Sequence, residues 1–114
     1  TKKNNFDFII NISEDGWFGN SIGPHQHFAH SIFRSIEEGK NILRSTNNGV
    51  SAVIESNGNV MDIIESTESG VLEIKNFKNS KKTFFSENGN NIFFYFLLFY
   101  ITLIFFLKMN REIK

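Results

Sequence analysis

Residues 92–107, Ile-Phe-Phe-Tyr-Phe-Leu-Leu-Phe-Tyr-Ile-Thr-Leu-Ile-Phe-Phe-Leu, are sixteen positions without a charge. Thr102 and the hydroxyls of Tyr95 and Tyr100 are the polar side-chain groups among them. In lipid, every backbone N–H and C=O must be satisfied within the segment, and a helix does this. At about 1.5 Å per residue the run makes a helix of roughly 24 Å, slightly short of the roughly 30 Å hydrocarbon layer. Asn90, Asn91 and the aliphatic stem of Lys108 extend it at the two interfaces. A buried helix of a soluble protein shows a polar face, and this run has none. The expectation is a membrane-inserting helix at 92–107, with a short basic tail at 108–114.

What precedes the run is one small domain at most, near the size where core burial is marginal. The formal charge of the chain is zero, so no basic surface for nucleic acid is expected. Residues 1–91 carry nine Lys/Arg and eleven Asp/Glu, and residues 92–114 carry three and one. Lys75, Lys78, Lys81 and Lys82 flank the apolar run on one side, and Lys108, Arg111 and Lys114 on the other. That balance gives no orientation by the positive-inside rule, although the second group lies closer to the run and favours a cytoplasmic tail. There is no cysteine, which excludes disulfides, thiolate metal sites and a cysteine nucleophile within these residues. The first residue is Thr1, and the expectation is a processed chain or a piece of a longer one.

Phe6–Ile12 is short, apolar and β-branched, and reads as a buried strand. Ser13–Gly23 follows as a loop with three glycines and two large aromatics. Pro24 suits the first position of a helix, along which Phe28, Ile32, Ile36 and Leu43 recur near helical spacing. Gly39 weakens the end of that helix. Arg44–Gly49 leads into a strand at Val50–Ile54, with a possible positive φ at Gly49. Asn57-Gly58 is a hairpin turn returning as Val60–Ile64. Val71–Phe77 alternates and reads as a further half-exposed strand, and residues 78–91 as a polar linker. The layout of strand, helix, hairpin, strand and tail is α+β or α/β, with few elements to close a layered domain.

Three stretches together carry a resemblance. They are Asn11-Ile-Ser-Glu-Asp-Gly-Trp-Phe-Gly19, Ser21-Ile-Gly-Pro-His-Gln-His-Phe28 and Leu43-Arg-Ser-Thr-Asn-Asn-Gly-Val-Ser-Ala-Val-Ile54. In that order and spacing they resemble the carbon–nitrogen hydrolase (nitrilase) domain of the bacterial apolipoprotein N-acyltransferases. Arg34-Ser-Ile-Glu37 resembles the Arg-x-x-Glu of the family's helix. The likeness is close over residues 5–65 and looser beyond, where the family ends in a last membrane helix and a basic tail. It implies an α+β fold: part of a nitrilase-like αββα sandwich over residues 1–77, then a linker at 78–91 and the transmembrane helix at 92–107.

The resemblance implies acyl transfer through a Glu, Lys and Cys triad. The thiolate takes an acyl chain from a phospholipid, and the α-amine of an S-diacylglyceryl-cysteine at a lipoprotein N-terminus receives it. By the family order all three triad residues lie upstream of this chain. The chain is therefore expected to be a C-terminal fragment of such an enzyme, inactive alone, with the N-terminal remainder of the enzyme as its partner. Phospholipid, diacylated apolipoprotein and the membrane are the other partners implied, and no cofactor. The implied location is the bacterial inner membrane, with residues 1–91 periplasmic and Lys108–Lys114 cytoplasmic. A non-enzymatic single-pass membrane protein and a fragment of a membrane-anchored nitrilase-type amidase stay open as alternatives.

Among the visible residues, Trp17 and Phe18 are read as lining the substrate site, where an indole packs against an acyl chain or head group. Glu14 and Asp15 are adjacent and diverge, so they make a poor acid/base pair. Asp15 is read as holding the loop, and Arg34, Glu37 and Arg44 as supporting the site. His25, His27 and His30 form no convincing metal set, since no carboxylate stands at a matching step. Helix capping or packing is the reading for them. Without its other layers, the soluble part is expected to expose the apolar faces of Phe6–Ile12 and Val50–Ile54 and to aggregate or stay molten.

Overall fold

The computed structural model describes residues 6–74 and 82–112, with Glu112 described by its backbone alone. The chain divides into two compact units, Thr1–Thr83 and Phe84–Lys114.

The first unit is built on a mixed four-stranded sheet of order β1-β2-β3-β4. Strand β1 spans Phe8–Glu14, helix α1 Gly23–Glu38, β2 Asn41–Asn47, β3 Ser51–Ile54 and β4 Val60–Ile64. β1 and β2 run parallel, joined by α1, with Ile9 opposite Ile42 and Asn11 opposite Arg44. β2, β3 and β4 form an antiparallel meander, with a register shift between Val53 and Ile54. The αβ likeness expected for the fold class holds, and so does the hairpin at Asn57-Gly58, where Gly58 N–H donates to Glu55 O at 2.8 Å.

Helix α1 starts with Pro24 in its first turn, where a missing N–H costs nothing. It ends at Gly39, which sits in the left-handed region at φ 62° and caps the helix. Lys40 N–H closes back on Ser35 O at 3.1 Å. The chain therefore cannot carry Leu43 as a helical position, as its spacing from Ile36 suggested. Residues 41–47 extend instead and form β2, a strand that the polar run Arg44–Gly49 conceals. Ile42 of this strand is buried with Ala52 and Ile54, and Ile9, Phe28, Ile32 and Val60 pack around them. Burying side chains of this size stabilises by about 1.5–3 kcal/mol each.

Further expectations are corrected. β1 lies two residues later than Phe6–Ile12, because pairing with β2 carries it on to Glu14. Nor is it buried on both faces: Ile10 is 62% and Ile12 82% exposed, since α1 covers the other face. Val50–Ile54, by contrast, is not an exposed strand, because Val50, Ala52, Val53 and Ile54 are all buried within the chain. Residues 71–74 form no strand, and the remainder of the predicted Val71–Phe77 strand lies outside the described residues. Leu72 and Ile74 line a groove of about 280 Å³ on the sheet face away from α1, together with Ile10, Leu43, Val53 and Ile64.

The second unit holds a short helix α2 at Phe84–Asn88, within the segment read as linker, and a long helix α3 at Asn91–Glu112. Asn91–Arg111 is long and apolar enough to cross a membrane. Its twenty-one residues rise about 31 Å, which removes the shortfall of the bare apolar run. Thr102 gives its hydroxyl proton to Phe99 O at 2.8 Å, so this side chain brings no unsatisfied donor into lipid.

Candidate functional site

Parallel pairing puts the carboxyl ends of β1 and β2 on the same side of the sheet, and open sheets of this kind bind ligands there. Two loops leave from that edge, residues 15–22 after β1 and residues 48–50 after β2. Glu14 straps them together. Its Oε2 accepts from Asn47 Nδ2 at 2.6 Å and its Oε1 from Gly16 N–H at 2.8 Å.

Beneath the first loop lies a buried charge pair. Arg44 Nη2 donates to Asp15 Oδ2 at 2.7 Å, and both side chains are 0% exposed. The register explains the placement: Ile42 and Arg44 alternate onto the α1 face of β2, beside Ile9 and Asn11 of β1. All three guanidinium nitrogens are engaged. Nε donates to Val50 O at 3.1 Å, and Nη1 to Asn11 Oδ1 at 2.8 Å and Ser31 Oγ at 3.1 Å. One side chain thus ties β1, α1, the start of β3 and the loop residue Asp15.

Asp15 is equally occupied. Its Oδ1 accepts from Ser13 Oγ at 2.7 Å and lies 2.8 Å from His27 Nδ1. Its own N–H donates to Asn47 O at 3.0 Å. The carboxylate is therefore held by side chains, while the neighbouring Glu14 accepts the loop backbone N–H. Burial raises the carboxyl pKa, but the hydrogen bonds from Ser13 and His27 and the charge of Arg44 outweigh it and hold it below 3.8. On Arg44, burial prevails over the pull of Asp15 and lowers the guanidinium below its ordinary value. The two partners thus differ in what wins. Three separate side chains, Ser13, His27 and Arg44, hold the carboxylate ionised, and arginine stays protonated in any case. Among the described residues no buried side-chain N or O lacks a partner.

Gly49 is part of the same packing. A Cβ there would meet Asp15 Oδ2 at 2.3 Å and Asp15 Cβ at 2.7 Å. The positive φ expected at Gly49 belongs instead to Asn48, at 53°. Asn tolerates that region, which leaves Gly49 to serve close approach.

Above this layer, Trp17 is 79% exposed and Phe18 half-buried, in a single 3₁₀ turn at Gly16–Phe18. Their rings meet with centroids 5.1 Å apart, and Phe18 meets the His27 ring at 5.8 Å. Arg34 and Glu37 pair with each other at 3.1 Å and are both partly exposed, so this bond contributes little. They share no described hydrogen bond with the Asp15 cluster. Arg34 and Glu37 do line a pocket of about 310 Å³ beside α1, with Asn11, His27, His30 and Ser31. Among the described residues no three His, Asp or Glu side chains gather to hold a metal ion.

Asp15 and Arg44 are thus brought together with His27, which the motif reading took as capping or packing the helix, and with Asn11, Ser13 and Ser31, which it did not single out. A signal for them existed. In Phe8–Glu14 the alternation puts Asn11 and Ser13 on the same face as Ile9, and polar groups facing a core require partners.

The chain matches the sequence profile of the carbon-nitrogen hydrolase family over residues 1–75. It is similar to the apolipoprotein N-acyltransferase of Wigglesworthia glossinidia brevipalpis, with 55% identity over 40 residues, 35% of this chain and 8% of that protein. The apolipoprotein N-acyltransferase of Pasteurella multocida is 48% identical over 40 residues, again 35% of this chain and 8% of the relative. That of Rickettsia typhi is 54% identical over 33 residues, 29% and 7%. The matched part is under a tenth of the length of each of these relatives.

Proposed function

The chain belongs to the carbon-nitrogen hydrolase family, and on that premise we propose that it is the C-terminal part of an apolipoprotein N-acyltransferase, held in the bacterial inner membrane by α3. The observation that carries this reading is convergence. The three stretches that bear the family motifs lie on a strand and loop, a helix start and a further strand, and all three meet at Asp15. Its own stretch supplies Ser13 and Asp15, the second supplies His27, and the third supplies Arg44 and Gly49. Motifs shared for fold alone have no need to meet at one buried carboxylate under an exposed aromatic loop.

In this reading the reaction runs in two displacements. A thiolate attacks the ester carbonyl of a phospholipid, a carbon–sulfur bond forms, and the lysophospholipid leaves as an alcohol after taking a proton. The α-amine of a diacylated apolipoprotein then attacks the thioester, the amide forms, a proton is lost and the thiolate returns. The sulfur comes from outside this chain, which has no cysteine. Trp17 and Phe18 line the path of the acyl chain or head group, and Asp15 and Arg44 keep their loop in place. Arg34 and Glu37 lend support from the α1 side. Residues 1–91 lie on the periplasmic side and Lys108–Lys114 in the cytoplasm.

The test uses the purified 114-residue chain with phospholipid and a diacylated lipoprotein peptide. Alone it transfers nothing. Supplied with the N-terminal part of a related N-acyltransferase, which brings the cysteine, it restores transfer, and Trp17→Ala in the reassembled enzyme lowers it. Turnover by the chain alone sinks the claim of inactivity. No transfer after demonstrated reassembly sinks the assignment.

A further inference from the structure

Asp15 fixes more than a loop. An ionised carboxylate accepts and does not donate, so His27 Nδ1, 2.8 Å away, must carry the proton. Ser13 Oγ lies 3.5 Å from the same nitrogen and gives its own proton to Asp15 at 2.7 Å. The neutral imidazole is therefore the Nδ1–H tautomer, with the Nε2 lone pair turned away from Asp15. The side chain of His27 is 36% exposed, so the ring sits at the boundary between the buried charge pair and the open loop.

The ring also carries the aromatic layer. Phe18 tilts against it at 60° with centroids 5.8 Å apart, and Trp17 tilts against Phe18 at 50° and 5.1 Å. On another side Phe18 presses on the start of α1, where a Cβ at Gly23 would meet Phe18 Cδ1 at 2.4 Å. Contacts thus run outward as Arg44, Asp15, His27, Phe18, Trp17. His27 is the step at which charge-assisted hydrogen bonding becomes ring packing. The 3₁₀ turn that bears the two aromatics contains no buried residue of its own, so its position depends on such outside supports.

We propose that His27 is a positioning residue: locked by Asp15 as the Nδ1–H tautomer, it is the floor that sets Phe18, and through it Trp17, over the carboxyl ends of β1 and β2. Its consequence for acyl transfer rests on the reading of Trp17 and Phe18 given above. The positioning itself is a property of this chain and is tested without substrate. A preorganised aromatic wall matters because an Å-scale misplacement costs about a hundredfold in rate at a reacting centre.

The experiment labels histidine with ¹³C and ¹⁵N in the full chain, held in detergent micelles, and reads the ring nitrogens of His27. A ring protonated at Nδ1 is expected, and it is released in Asp15→Ala. An Nε2–H form, or a ring averaging between tautomers, overturns the proposal with no variant needed. Trp17 is the sole tryptophan of the chain, so its time-resolved anisotropy reports the loop directly. His27→Ala is expected to enlarge the fast local motion of Trp17, and His27→Phe, which keeps a ring but loses the bond to Asp15, to recover part of the rigidity. Amide shifts of β2 and β3 establish that each variant keeps its sheet. Unchanged Trp17 motion in a folded His27→Ala overturns the proposal. In the reassembled enzyme, His27→Ala should raise KM for the phospholipid by about tenfold with a smaller change in kcat. If tautomer and anisotropy behave as expected while transfer is unaffected, the positioning stands and the acyl-lining role of Trp17 falls.

Discussion

The two faces of the sheet differ in how finished they are. The face under α1 has an apolar centre at Ile42, Ala52 and Ile54 and a polar end in which Arg44 and Asp15 satisfy every neighbour. The opposite face carries Ile10 and Ile12 largely exposed, with Leu72 and Ile74 bordering an apolar groove. Both faces come from the same strands by simple alternation, so composition does not separate them. What separates them is cover: α1 packs on the first face, and among the described residues Ile12 has no such cover. The same sheet thus carries a hydrogen-bonded, covered layer on one face and exposed isoleucines on the other.

The largest effect is expected on the finished face. Arg44→Ala leaves Asp15 buried without its cation and Val50 O, Asn11 and Ser31 without their donor, and should cost about 3–5 kcal/mol. Denaturant unfolding of the chain in micelles, followed at the sheet amides, measures it. A loss below about 1 kcal/mol would mean that water replaces the guanidinium and that the layer is less closed than described. The pair as a whole is worth less than this cost, because burial opposes the Arg44 charge as it forms the bond.

A smaller effect is expected from acid. The folded pKa of Asp15 lies below its ordinary 3.8, so its contribution is full above pH 3.8 and is lost as pH falls through the folded value. Thermal midpoints measured on both sides of that window should fall on acidification in the parent chain, with a shallower slope in Asp15→Asn. Equal slopes would separate Asp15 from the acid response.

The smallest change in stability is expected on the unfinished face. Ile10→Thr and Ile12→Thr remove exposed apolar surface and should alter unfolding by no more than about 0.5 kcal/mol. They should, however, reduce self-association, seen by sedimentation of the chain in micelles at rising protein concentration. A destabilisation of several kcal/mol would show that this face is packed in solution, and the contrast between the two faces would fail.

Much of the fold was legible because some signals are local. Pro24 and Gly39 bracket α1 by backbone chemistry alone, and Asn57-Gly58 marks its hairpin whatever surrounds it. β2 was not legible, because Arg44-Ser-Thr-Asn is a poor strand by composition and becomes one by filling the place between β1 and β3. The site divides in the same way. Trp17, Phe18, Asp15 and Arg44 stood out as motif residues, but the bonds among Asp15, His27 and Arg44 join positions far apart in the chain, and no spacing rule reports them. Gly49 shows the limit well: a glycine after two asparagines reads as a turn, and its close approach to Asp15 depends on where a different loop passes.

By itself the sequence determined a helix apolar on every side at the end of the chain, because sixteen uncharged residues leave the backbone no better way to satisfy itself in lipid. It determined the family through motifs whose order survives without coordinates. The tertiary structure alone decided that Arg44 is buried, that it meets Asp15, and that His27 stands between that pair and the aromatic loop. Burial and hydrogen-bond geometry are properties of neighbours brought together by folding, and they are set by strand register and helix placement, not by any residue's identity.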